Sequence, residues 1–221
     1  MPATITRYRW SSSPTNPSRR SLRSRSSRNR RGDGERVLMT EIVHRPLTQA
    51  EAVLVHLALK DTPNILGYTV RELECLTDVY AAEAEGQFAG VCFSVDLIHG
   101  WTEIAALCVL PEFQGRGLGG ALFAAAWERA QARHRHLYVL SRNPQVIQWM
   151  QARGMDVGGK FRDIPLAVHW YMARHMASWY RTTEGIRKRK AIGQCPPLLQ
   201  GIKRYTPEET SPRLVPRQPS P

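Results

Sequence analysis

The feature that most constrains this chain is a glycine-rich junction between an apolar run and a run of helix formers. The apolar run "WTEIAALCVL" ends at Pro111, and "ALFAAAWERAQAR" starts directly after Gly120. Between them, "QGRGLGG" places four glycines in six positions around Arg116. A helix N-terminus has unpaired N–H groups and a partial positive charge, and glycines let a ligand approach the backbone closely. The junction therefore predicts an anion-binding loop between a buried strand and a helix.

Two common phosphate-binding loops do not match this junction. The Walker loop needs Gly-Lys-Ser/Thr after its last glycine, whereas this chain has Gly-Gly-Ala. The dinucleotide fingerprint needs GxGxxG and an acidic residue about 20 positions on. Here the spacing is GxGxG, and the next apolar run, "HLYVLS", does not end in an acid. A strand-to-helix turn that binds nothing is the alternative interpretation.

The other patterns predict an α/β domain with a mixed sheet. "TEIVHRPL" is typical of a strand, and "TQAEAVLVHLALK" of a helix that Thr48 and Glu51 begin with a capping box. "TVRELECL" predicts a short helix, "DVYAAEAEG" and "FAGVCFSVDLI" a hairpin, and "NPQVIQWMQARG" a helix capped by Asn143. "DVGGKFRDI" and "AVHWYMAR" are expected to be the two last strands, although "AVHWYMARHMASWYR" also fits one helix.

The positive charge of the chain is concentrated at its two ends. Of the net charge of +12, residues 1–38 carry +8 and residues 181–221 carry +6, whereas the middle of the chain carries −2. The Ser- and Arg-rich start has too few apolar residues to offset its chain entropy, so it is expected to be disordered. The Pro-rich end is expected to be extended and loosely ordered. We therefore predict a basic segment at 1–37, a folded domain at 38–176 and a basic extension at 177–221.

Three roles for the N-terminal segment stay open: a nucleic-acid-binding arm, an organelle transit peptide, or a tail without a specific role. Met39 is an alternative start of the chain. The basic cluster "GIRKRKAIG" near the other end is either a solvated surface or a contact for nucleic acid or an acidic partner. We leave the oligomeric state open, with a dimer as one option.

Cysteine usage and hydropathy predict a cytoplasmic protein. The four cysteines form no CxxC pair, which indicates reduced thiols and no zinc site, and the histidines show no ligand spacing, so we expect no metal. No apolar run approaches the roughly 18 residues of a membrane span, so we expect no membrane contact.

The order of these elements resembles that of the GNAT superfamily of acyl-CoA-dependent N-acetyltransferases over roughly residues 40–175. The pyrophosphate loop of that family has the form Gln/Arg-x-x-Gly-x-Gly/Ala, which Gln114, Gly117 and Gly119 fill. Asn143 matches the asparagine after the family's fifth strand, and Gly154 with Met155 takes the place of its closing Gly-Phe. The resemblance implies a mixed, mostly antiparallel central sheet flanked by helices.

The resemblance also implies acetyl-CoA as the acetyl donor and an amine as the acceptor. Amides of the glycine loop would hold the pyrophosphate, and the edge of the strand around Leu107 and Val109 would pair with the pantetheine arm. The implied donor site consists of Leu107, Val109, Gln114, Gly115, Arg116, Gly117, Gly119, Gly120 and Asn143. The acceptor, a small amine or a protein amino group, would attack the thioester directly.

Glu103 is the candidate general base for that attack. It precedes Gln114 by eleven residues, the offset of the glutamate base in the lysine-acetylating histone branch of the family. An exposed strand residue or a salt-bridge partner is the alternative. The usual tyrosine acid, seven residues after the asparagine, is replaced by Met150. The thiolate then leaves unassisted or through water, or it takes a proton from Tyr171 or Tyr138, which are otherwise packed aromatic residues. The absence of the usual tyrosine also leaves open the alternative that this is a non-catalytic acyl-CoA-binding protein.

Overall fold

A computed structural model of the chain describes residues 7–9, 40–62, 67–158 and 163–207. The predicted disorder of the first segment and of the last 14 residues lies outside these ranges, apart from residues 7–9. Within them, no helix is long and apolar enough to span a membrane. The same residues contain no group of three or more His, Cys, Asp or Glu side chains that could hold a metal ion.

Within the described residues, the centre of the fold is one sheet of eight strands. The strands are β1 (Arg7–Arg9), β2 (Thr40–His44), β3 (Val79–Ala84), β4 (Gln87–Asp96), β5 (Trp101–Val109), β6 (His136–Ser141), β7 (Asp156–Val157) and β8 (Leu199–Lys203). Their order in space is β1-β2-β3-β4-β5-β6-β8-β7. Only β5 and β6 pair in parallel, and every other neighbouring pair is antiparallel. The expected mixed, mostly antiparallel sheet is therefore confirmed.

Six helices cover the two faces of this sheet within the described residues. They are α1 (Gln49–Asp61), α2 (Val70–Glu74), α3 (Leu118–Ala132), α4 (Pro144–Ala152), α5 (Leu166–Met176) and α6 (Trp179–Ile192). Helices α3 and α4 bury Leu122 and Met150 against one face, together with Cys92 of β4. Helices α1 and α2 pack on the other face, against Val91 and Phe93. The alternation along β4 follows because successive strand side chains point to opposite faces.

Local capping explains where three of these helices begin. The hydroxyl of Thr48 accepts a hydrogen bond from the Glu51 N–H at 3.3 Å, and the Glu51 carboxylate accepts one from the Thr48 N–H at 2.8 Å. Thr69 and Glu72 form the same capping box at α2. Asn143 accepts a hydrogen bond from the Gln145 N–H at the start of α4. The predicted caps at Thr48 and Asn143 are confirmed.

The prediction of two last strands before residue 176 is wrong. Of "DVGGKFRDI", only Asp156–Val157 is a strand in the described part, and "AVHWYMAR" lies inside α5. The apolar residues of α5 are spaced so that they lie on one face of the helix. They pack into a single hydrophobic cluster, to which Ala167, Val168, Tyr171 and Met172 belong. The β-branched and aromatic composition of this segment favoured a strand, but this periodicity determined the structure.

The expected loose order of the C-terminal extension is also wrong up to residue 207. Helix α6 follows α5 directly, and β8 lies between β6 and β7 in the sheet. Lys188 of α6 is buried and donates hydrogen bonds to the carbonyls of Leu59 and Thr62, at the end of α1. Gln200 and Gly201 of β8 are buried as well. Long-range packing therefore orders a segment whose composition predicts a tail.

Candidate active site

The glycine loop faces open space at two of its glycines. Gly115 and Gly117 have φ angles of 78° and 79°. Residues other than glycine rarely adopt this left-handed backbone conformation. A Cβ atom at either position would meet no heavy atom within 4 Å. Gly117 is the residue before α3, and no side chain caps the free N–H groups of that helix. The loop therefore presents backbone donors and a helix N-terminus to open space, an arrangement that is typical of anion-binding loops.

The other two glycines of the loop are required for packing. A Cβ atom at Gly119 would lie 3.3 Å from the ring of Trp149 and 3.6 Å from the side chain of Leu107. At Gly120 it would lie 3.5 Å from the same ring. These glycines let the start of α3 approach Trp149 of α4 closely. The four glycines thus have two different physical roles.

The polar side chains predicted to bind the donor make contacts within the protein. Gln114 donates a hydrogen bond from Nε2 to the carbonyl of Val109 at 3.0 Å. Arg116 donates one to the carbonyl of Glu112 and lies 3.6 Å from the carboxylate of Glu85. Asn143 caps α4, as described above. These contacts shape the loop, and a direct contact of the three side chains with a donor stays a prediction.

Strand β5 separates from β6 beside the loop. The two strands pair from Trp101 to Ile104 only, whereas β5 stays paired with β4 as far as Val109. A bulge at Ala105 lies at the point where the pairing with β6 stops. Beyond it, the side of β5 that faces β6 has no strand partner among the described residues. Leu107 and Val109 lie on this open edge, which can accept an extended chain that carries amide groups.

Glu103 lies in the paired part of β5, opposite Val95 of β4 and Tyr138 of β6. Its Oε2 atom is buried and has no hydrogen-bond partner among the described residues. Burial raises the pKa of its carboxyl group to about 7. The described residues form no salt bridge with it, so it is not the ion-pair partner that the alternative required. A carboxyl group with this pKa can accept a proton near neutral pH.

Three tyrosines surround Glu103. Burial and the charge of Glu103 raise the pKa values of the Tyr138 and Tyr171 hydroxyls, and burial raises that of Tyr68. The hydroxyl groups of Tyr171 and Tyr68 are close enough to influence each other's pKa, whereas the buried hydroxyl of Tyr138 has no hydrogen-bond partner in the described part. All three phenols are therefore protonated at neutral pH and can serve as donors. Met150, in contrast, is fully buried in the core.

Sequence reasoning missed Tyr68, because a single tyrosine in the loop before α2 belongs to no pattern. It also missed a cavity of about 590 Å³. The walls of this cavity come from α2, the β4–β5 loop, α5 and the start of α6, which are distant in the sequence. Tyr171 lines it together with Glu72, Asp96, Leu97, Ile98, Ala167, Trp170, Arg174, His175, Ala177, Ser178 and Arg181. Burial and the charge of Arg181 lower the pKa of His175 to about 4, so its ring is neutral at pH 7. The cavity thus adjoins Glu103 through Tyr171.

Comparisons with solved structures agree with this architecture. N-acetylglutamate synthase from Neisseria gonorrhoeae, complexed with coenzyme A and N-acetyl-glutamate, is 18% identical, with a TM-score of 0.54. The match covers 76% of this chain and 35% of the synthase, so the chain spans about a third of that protein. Rv2747 from Mycobacterium tuberculosis, in complex with CoA and NLQ, is 16% identical, with a TM-score of 0.51 over 72% of this chain and 96% of its own. At these identities the likeness shows the fold alone.

No curated protein matches the chain significantly. The model of the Acetyltransferase (GNAT) family matches residues 47–155. That segment contains the glycine loop, the open edge of β5 and Glu103. Residues 47–155 therefore form a domain of the GNAT family of acetyltransferases.

Proposed function

We propose that the protein is an N-acetyltransferase that moves the acetyl group of acetyl-CoA to a primary amine by direct attack. One observation carries the proposal. The uncapped start of α3, with its open glycines, continues into the open edge of β5, and Glu103 lies on the same strand. Donor site, reaction centre and base are then arranged along one strand of the sheet.

The donor would bind through the backbone rather than through a cluster of cations. Amides from Gly115 to Gly120 would hold the diphosphate, since the two outward-facing glycines leave room for it. The backbone of Leu107 and Val109 would pair with the pantetheine arm. When bound, acetyl-CoA supplies an acetyl group activated as a thioester. A backbone N–H of β5 would polarise its carbonyl oxygen.

Glu103 would act as the base. Because its pKa is about 7, about half of the carboxyl groups are deprotonated at neutral pH. The carboxylate would remove one proton from the ammonium group of the acceptor, and the amine nitrogen would then attack the thioester carbon while the carbon–sulfur bond breaks. Tyr171 would donate a proton to the leaving thiolate and would be reprotonated, through water, by the second proton that the nitrogen loses as the amide forms. The raised pKa of Tyr171 keeps its hydroxyl protonated at neutral pH, so that it can donate.

The test is release of free thiol from acetyl-CoA against a broad panel of amines, amino acids and peptides. We expect release that depends on the added amine, with stoichiometric N-acetyl product by mass spectrometry. Binding of acetyl-CoA without thiol release for any acceptor would instead support the non-catalytic acyl-CoA-binding alternative.

Docking on nucleic acid through the basic ends stays a second proposal, since the charge distribution along the chain favours it. In the cluster "RKRK", Arg187 donates to the Lys60 carbonyl and Lys188 to those of Leu59 and Thr62, which leaves Arg189 and Lys190 exposed. We therefore expect contacts to come mainly from residues 1–38, which carry +8. Removal of residues 1–38 should reduce salt-sensitive retention on heparin and leave acetyl-CoA binding unchanged. Equal retention of the full and shortened chains contradicts this proposal.

A further inference from the structure

The cavity beside Tyr171 contains two carboxylates, and both are occupied. Glu72 accepts a hydrogen bond from Arg181 at 2.9 Å through one oxygen and two from Thr69 through the other. Asp96 pairs with Arg133 and Arg135 and accepts a hydrogen bond from the Thr102 hydroxyl. Neither carboxylate is free to bind the ammonium group of a cationic acceptor. The acidic residues of this cavity therefore do not define its ligand.

The cations of the cavity are less completely paired. Arg181 is only 4% exposed, has Glu72 as its one ion-pair partner, and has a buried Nε atom without a hydrogen-bond partner among the described residues. Arg174 is exposed, lies over the ring of Trp170 at 5.8 Å, and forms no ion pair with a described carboxylate. A buried cation with a single partner is costly, so an additional anion in this cavity is favourable.

The start of α6 adds backbone donors to the same wall. Ser178 precedes the first residue of this 14-residue helix and lines the cavity, and its side chain makes no capping hydrogen bond. The first N–H groups of α6 therefore lack both intrahelical and side-chain partners. A helix N-terminus and two arginines on one side of a cavity match a carboxylate, which accepts several hydrogen bonds at once.

The rim of the cavity is apolar. Trp170 is 58% exposed and Ile98 is 51% exposed, and both line the cavity together with the buried residues Leu97 and Ala167. Exposed large apolar side chains next to a charged wall indicate a ligand that has an apolar part as well as an anionic group.

We propose that this cavity binds the acceptor, and that the acceptor is an apolar α-amino acid with a free carboxylate. Arg174, Arg181 and the start of α6 bind the carboxylate, and Trp170 and Ile98 contact the apolar side chain. The amine then lies toward Tyr171 and Glu103. This inference rests on the proposed acetyltransferase function and defines its substrate class.

Phenylalanine, phenylalaninamide and phenethylamine form a matched series for the test, because only the first carries a carboxylate. We expect kcat/KM for phenylalanine to exceed that for the other two by at least about tenfold, the usual size of a charge-assisted contact. Arg174→Gln should reduce this preference through KM. Arg189→Gln, an exposed cation of α6 that does not line the cavity, should preserve it.

A binding measurement gives a second, independent readout. N-acetylphenylalanine should raise the Tm of the protein more than N-acetylphenylalaninamide does, and Arg174→Gln should abolish the difference. Equal turnover of the three amines, or an equal effect of the two N-acetyl compounds, overturns the amino-acid assignment and leaves the acetyltransferase function standing. Absence of thiol release with every amine overturns the acetyltransferase function itself.

Discussion

At the scale of single residues, Glu103 is the most informative position in the molecule. A strand places its carboxyl group among three tyrosines and leaves one oxygen buried without a partner. This arrangement costs stability, because burial penalises the charged form of the group. Such a penalty is typical of a site that is shaped for proton transfer. Two predictions separate the catalytic role of the residue from its cost to folding.

Glu103→Gln should reduce kcat by about 10²- to 10⁴-fold with an identified acceptor, since the amide cannot accept the proton. The rate of the native protein should rise with pH through about 7, because the base works only when deprotonated. The residual rate of the variant should lack this step. An unchanged turnover and pH–rate profile would show that another group is the base.

The same substitution should stabilise the fold at high pH. The pKa of the carboxyl group is raised from an ordinary 4.5 to about 7 in the folded state, so the folded protein holds its proton more tightly than the unfolded chain. Stability is therefore lost as pH rises through this interval and stays lower above it. Relative to the native protein, Glu103→Gln should gain about 1–3 kcal/mol between pH 4.5 and pH 8.

Urea unfolding at several pH values measures this difference. Glu112→Gln is the control, because Glu112 is an exposed carboxylate a few residues further along the chain. Its effect on the free energy of unfolding should not follow the same pH dependence. A pH-independent effect of Glu103→Gln would mean that the carboxyl group is not titrating in this range.

At the scale of elements, the loop between β5 and α3 combines two requirements in one short segment. Gly115 and Gly117 supply left-handed backbone and open space, whereas Gly119 and Gly120 let α3 approach Trp149. The loop therefore positions the helix N-terminus and the edge of β5 relative to each other. A substitution can test the first requirement without disturbing the second.

Gly117→Ala should destabilise the protein by about 1–2 kcal/mol, because its φ of 79° is unfavourable for alanine. It should also weaken acetyl-CoA binding, since the methyl group enters the space in front of the loop. Gly86→Ala is the matched control: Gly86 has a φ of 77°, and a Cβ there meets nothing within 4 Å, but it lies in the β3–β4 turn. Calorimetric titration should show weaker binding for Gly117→Ala alone. Equal affinities of the two variants would place the diphosphate elsewhere.

At the scale of the whole molecule, the C-terminal part of the chain completes both the sheet and the cavity. Strand β8 pairs with β6 on one side and β7 on the other. Helix α6 contributes Arg181 to the wall of the cavity that we expect to bind the acceptor. The family model ends at residue 155, so these elements lie beyond the matched segment. The part of the chain that we expect to recognise the acceptor is therefore largely separate from the part that we expect to bind the donor.

A chain that ends at residue 198 should be much less stable than one that ends at residue 207. The shorter chain lacks β8, a five-residue strand that lies between β6 and β7. The backbone N–H and C=O groups of β6 that pair with β8 then lose their partners. We expect a loss of about 3 kcal/mol, which corresponds to a fall in Tm of roughly 10 °C for a domain of this size. Thermal unfolding of the two shortened chains measures it. Equal Tm values would show that β8 contributes little to the fold.

The sequence by itself determined the features that depend on neighbours within a few residues. The capping residues Thr48 and Asn143, the hairpin of β3 and β4, and the glycine loop before α3 all follow from local backbone geometry and hydrogen bonding. The spacing of Gln114, Gly117 and Gly119, together with the order of the elements around it, predicted the GNAT family. Glu103 could be selected as a candidate because it lies on the strand that leads into this loop.

Only the tertiary structure decided what surrounds that candidate. Tyr68 and Tyr171 reach the neighbourhood of Glu103 from distant parts of the chain, and no local pattern connects them with it. The helical state of α5 and the insertion of β8 depend on burial against other elements, which overrides composition. The raised pKa of Glu103 has the same origin, because the burial that removes its carboxyl group from water comes from the tertiary packing around the strand.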